Sequence, residues 1–156
     1  MLTDAFLHVG VFGERDHFQE MDYMNLEGFP DDIVYRNSIP HGGRLAPIVA
    51  ITSKIESFGY EVIHVVIDRE DKYILLSKVK RGHRPDIETA QAWLTMERGY
   101  IAAQMTKMGV QPVLVQYEIF VSDAAERRKL FTSYTLPEPV MYFFNANDIY
   151  KQKGLQ

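Results

Sequence analysis

The chain has 156 residues, 46% hydrophobic and 24% charged, with a formal net charge of −4. That length and composition suit one folded domain over residues 1–156, and the mild acidity argues against a surface dedicated to coating nucleic acid. With no cysteine in the sequence, disulfides, thiolate metal sites and cysteine nucleophiles are excluded.

No stretch approaches the roughly 18 apolar residues that a membrane helix needs. Met1 to His8 lacks the basic start of a signal peptide. A soluble, cytoplasmic chain with no membrane partner is the expectation.

In chain order, Ala5 to Phe12 reads as a strand ending near Gly13. Residues 14–43 form a long irregular segment, with Asp16 capping a short helix and Ile33-Val34-Tyr35 as a short strand. Ile48 to Lys54 is apolar and β-branched, and Tyr60 to Ile67 reads as a strand. Tyr73 to Val79 comes after the polar turn Asp68-Arg69-Glu70-Asp71, which predicts a β-hairpin.

The best-punctuated element is a long helix over about 86–108. Pro85 suits its first turn, Asp86 and Glu88 complement its positive end, and Gly109 stops it. Ile87, Ala90, Leu94, Ile101, Met105 and Met108 share one face by their spacing. Gly99 inside it predicts a kink or a close backbone contact.

Val113 to Val121 alternates as a strand. Asp123 and Glu126 form a capping box for a short helix to about Phe131, and Val140 to Phe144 is a last strand. The tail 146–156 is polar and expected to fray. Together these elements predict an α+β fold, a mostly antiparallel sheet with one long helix packed on a face and one or two short helices.

Candidate chemistry is scattered. His8 and His64 each sit inside an apolar run, and two histidines facing one cleft can serve as general acid and base on a phosphate ester. The pair resembles the two-histidine phosphoesterases. It departs from them two residues after each histidine, where Gly10 and Val66 replace the serine or threonine that holds the phosphate.

Asp68, Glu70 and Asp71 are candidate ligands for a hard cation such as Mg²⁺. Glu70-Asp71-Lys72 is similar to the Glu-x-Lys element of restriction-endonuclease-like nucleases, a likeness reaching over about residues 60–121. In that family the aspartate is well separated from this element and both lie in the sheet, whereas here both crowd a predicted hairpin tip.

Lys78, Lys80, Arg81 and Arg84 form a basic run before the long helix and are the candidate anion site; as a nucleic-acid signal the run lacks interleaved aromatics. Pro40-His41-Gly42-Gly43-Arg44 has the glycines of an anion-binding nest, but no Gly-x-Ser-x-Gly elbow accompanies it.

A second stripe on the long helix, Trp93, Met96 and Tyr100, lies roughly opposite the apolar face. These residue types are enriched in interface cores. The leading expectation is a non-enzymatic protein-binding or assembly module without a cofactor, acting through a protein partner or self-association, of the kind found among viral or phage structural and accessory proteins. The alternative is an enzyme acting on phosphodiesters, through the carboxylates or the histidines.

Overall fold

Two parallel strands joined by two helices form the framework. The computed structural model describes Phe6, residues 12–13, 33–34, 45–139, 141 and 143–151. Strands β1 (Phe12–Gly13) and β2 (Ile33–Val34) make a short parallel pair. Helix α1 (Ile48–Glu56) precedes β3 (Val65–Asp68), helices α2 (Asp71–Lys80) and α3 (Ile87–Met108) come next, and β4 (Val113–Gln116) then pairs in parallel with β3. Helices α4 (Tyr117–Ser122), α5 (Ala124–Ser133) and α6 (Asp148–Lys151) complete the described chain.

The mostly antiparallel sheet is therefore corrected: both strand pairs among the described residues are parallel. Parallel strands need a crossover rather than a tight turn, and α2 with α3 supplies it. The predicted hairpin fails because Tyr73 to Val79 is helical.

Helix α2 is packed on two sides, which erases the single apolar stripe by which a helix is recognised. Leu75 joins Ala90 and Leu94 of α3 in one cluster, while the Tyr73 ring lies 6.2 Å from Tyr150 of α6. Its charges do obey the helix dipole, with Asp71 in the first turn and Lys78 and Lys80 in the last.

The β-branched run from Ile48 is helix α1. Ile51, Thr52 and Ile55 are buried at helical spacing, and the two isoleucines pack with Phe58, Tyr60 and Val62. The predicted strand over Val113 to Val121 keeps its alternation only to Gln116. Beyond it, Phe120 and Val121 are buried side by side with Val115 and Phe131, an arrangement α4 makes and a strand cannot.

No strand forms among the described residues of 140–144. Most of the predicted first strand and of 14–43 lies outside the described residues; Ile33 and Val34 are strand β2.

The long helix begins where Asp86 accepts a hydrogen bond from the Thr89 N–H at 2.7 Å, and it ends at Gly109 with φ 70°. Asp123 caps α5 through the N–H groups of Ala125 and Glu126. Residues 146–151 carry α6, with Asn147 and Tyr150 buried; residues 152–156 lie outside the described set.

Packing over β3 and β4 is uneven. Registered partners in a parallel pair point to the same face, so Val65, Ile67, Val113 and Val115 share one face and Val66, Asp68, Leu114 and Gln116 the other. On the first face Val115 meets Phe120, Val121 and Phe131, and Val65 and Val113 pack against the same cluster. The second face is approached over β3 by α3, whose Arg98 reaches Asp68. Ile67 is 48% and Leu114 70% exposed.

Candidate functional site

The carboxyl ends of parallel strands are where open α/β sheets bind ligands, and the densest polar network among the described residues lies there. Immediately after β3 comes Arg69, and just after β4 come Tyr117 and Glu118. Residues 143–151 lie across both ends.

Asn147, fully buried, joins the two strand ends. Its Oδ1 accepts from Arg69 Nε at 2.6 Å, and its Nδ2 donates to Glu118 Oε1 at 2.7 Å. The same Glu118 oxygen accepts from the Glu70 N–H at 3.2 Å, at the start of α2. Tyr117 reinforces the junction: its hydroxyl accepts from the Ala146 N–H at 2.8 Å and donates to the Phe144 carbonyl at 3.3 Å.

The Arg69 guanidinium lies among three tyrosine rings, 5.2 Å from Tyr117, 5.8 Å from Tyr73 and 5.9 Å from Tyr150. Ring faces offer a cation partial compensation where, as here among the described residues, no carboxylate pairs with it. Its Nη2 is buried without an acceptor. Chemically, this is a socket that reads a carboxamide: Arg69 donates to the oxygen, Glu118 accepts from the nitrogen, and the chain fills it with its own Asn147.

The sequence-derived candidates are dispersed. Asp68 and Asp71 both accept from Arg98 Nη2 at 2.7 Å, and Glu70 pairs with Lys72 at 3.2 Å. The Asp71 and Asp68 carboxylates hold Arg98 more firmly protonated than usual. Among the described residues no group of three or more potential metal ligands comes together.

His64 precedes β3, half-buried, with Nε2 3.4 Å from Thr52 Oγ1. Burial lowers its pKa below the ordinary value, against a smaller opposing pull from Glu56. His8 lies outside the described residues.

The basic run does not converge, and it belongs to the C-terminal end of α2 rather than to a strand face. Lys78 donates to Glu97 across the α2–α3 contact, Lys80 lies 5.5 Å from the Tyr150 ring, and Arg81 is exposed. Arg84 stacks 3.9 Å over Trp93.

The second stripe of α3 is divided in the same way. Trp93 is half-buried beneath Arg84, the Tyr100 hydroxyl donates to the Ala46 carbonyl at 2.6 Å, and Met96 is exposed. Gly99 is a plain helical position; a Cβ there would meet nothing within 4 Å.

Sequence reasoning missed Arg69, Glu118 and Asn147. Their signal is position at the ends of parallel strands, legible only once the strands are known to be parallel. No family model, curated protein or solved structure matches the chain.

Proposed function

We propose that the chain is a non-enzymatic assembly module that associates with a second copy of itself along the outer edge of β4. The observation that carries this reading is Leu114, 70% exposed in a strand whose outer edge carries no further strand among the described residues. Parallel sheets are ordinarily covered on both faces. Exposed edges are ordinarily guarded by charge, proline or a bulge, and Val113-Leu114-Val115-Gln116 has no charge and no proline.

An extended segment added to this edge would hydrogen-bond to the strand backbone and lay apolar side chains against Leu114, the mode called strand addition. Ile63 and Ile67, 52% and 48% exposed, add apolar surface at β3, with Ile67 on the sheet face opposite Leu114. On α3, Met96 alone remains open of the three residues the sequence nominated. A module of this kind suits a structural or accessory role in a viral or phage particle.

Light scattering over a range of concentrations tests the reading. Wild type is expected to self-associate and Leu114→Lys to remain monomeric with an unchanged melting temperature, because the side chain is already in solvent. Association that persists in Leu114→Lys, or a wild type that is monomeric throughout, overturns it.

A further inference from the structure

The main helices do not all end alike. Just past α1, α2 and α3 the chain places Gly59, Gly82 and Gly109 in the left-handed region, with φ of 91°, 69° and 70°. Past α5 the same duty falls to Thr135, with φ 58°. The turn is complete, for the Leu136 N–H bonds the Phe131 carbonyl at 2.9 Å and the Thr135 N–H bonds the Thr132 carbonyl at 3.0 Å. A β-branched residue is among the least suited to this conformation, so a helix terminator that is relaxed elsewhere in the chain is strained here.

The linker beyond the strained turn is stiff. In Leu136-Pro137-Glu138-Pro139, Leu136 and Glu138 each precede a proline, which biases both towards extended backbone. The left-handed turn at Thr135 is thus the bend by which the chain leaves α5. One surface ion pair, Arg128 to Glu138 at 3.0 Å, also ties the linker to α5, and exposed pairs of this kind hold weakly.

Residues 143–151 form a strap held by a discrete set of contacts. Asn147 fills the Arg69–Glu118 socket, Tyr150 packs against Tyr73, and Phe143 meets Phe120 edge-on at 5.4 Å.

We infer that the strap is exchangeable, and that a second copy of this chain inserts its own residues 143–151 into the Arg69–Glu118 socket. The inference rests on the assembly reading only in taking a second copy as partner; it uses a different surface. Exchange preserves each contact made in cis, because the incoming strap has the same sequence, and it releases the left-handed turn at Thr135. Short strained hinges favour such swaps. In the exchanged dimer each socket is completed by the partner copy's asparagine.

The test grades the strain at an exposed position that leaves the socket intact. Asparagine tolerates the left-handed region better than threonine, and glycine better still. The dimer measured by light scattering should weaken from wild type through Thr135→Asn to Thr135→Gly, by about tenfold or more across the series.

Native mass spectrometry of isotope-labelled and unlabelled wild type should show mixed dimers forming slowly, since each strap must first open. A dimer equally strong in all three chains overturns strap exchange. If Leu114→Lys abolishes that dimer, edge association survives on its own. A dimer weakened by Thr135→Gly but intact in Leu114→Lys supports strap exchange and removes the edge reading. A wild type that is monomeric throughout overturns both.

Discussion

Lys78 Nζ donates to both oxygens of Glu97 at 2.7 Å, and the two side chains are only 16% and 5% exposed. The pair crosses the α2–α3 contact that also holds Leu75 against Ala90 and Leu94. Removing one partner leaves the other charge buried, which costs about 3–5 kcal/mol, whereas replacing both with apolar groups is often neutral. Lys78→Met should therefore lower the urea midpoint sharply, and Lys78→Met with Glu97→Leu should restore most of it. A double variant as unstable as the single would mean that the pair itself stabilises the contact.

The same pair shows why the fold was only partly legible. Glu97 occupies a buried position on α3, so the apolar face read from spacing is interrupted by a charge whose partner lies on another helix. Helix α3 was nevertheless readable because Asp86 and Gly109 mark its ends by local chemistry. Helix α2 was not, because Tyr73 and Leu75 are buried against different neighbours and mimic the alternation of a strand. At the strand ends, Arg69 and Glu118 lie 49 positions apart in sequence and are bridged by Asn147, so no local pattern announces their socket.

Two glycines of α3 should respond in opposite directions to the same substitution. Gly99 lies in mid-helix with open space where a Cβ would go, so Gly99→Ala should stabilise by about 1 kcal/mol through helix propensity. Gly109 has φ 70°, and Gly109→Ala should destabilise by about 1–2 kcal/mol, because the left-handed conformation opposes any side chain. Thermal unfolding of the two variants beside wild type checks both signs. A loss at Gly99 would point to a neighbour packed on that face.

His64 gives stability a pH dependence whose sign is fixed by its environment. Burial lowers its folded pKa below the ordinary 6.5, with Glu56 opposing the effect. As pH falls through 6.5 the unfolded chain takes up the proton first, so stability contributed by the neutral ring is present above 6.5. It is lost as pH falls through the folded value. His64→Gln should flatten this part of the stability profile while keeping a polar group near Thr52. An unchanged slope between about pH 7 and 5 in that variant would assign the dependence to other groups.

Trp93 is the chain's single tryptophan, so its emission reports on one place alone. Arg84 stacks 3.9 Å from its ring and shields a residue that would otherwise present an aromatic face beside exposed Met96. Arg84→Ala should shift the emission to longer wavelength and raise the acrylamide quenching constant, with a stability loss of about 0.5–1 kcal/mol, as for a partly exposed cation–π contact. The same variant separates two uses of α3. If uncovering Trp93 strengthens self-association even when Leu114→Lys is also present, the helix stripe is itself adhesive and Arg84 acts as its guard. If association is unchanged, Arg84 and Trp93 serve only to close the α2–α3 corner, and copy-to-copy contact is left to β4 and the strap.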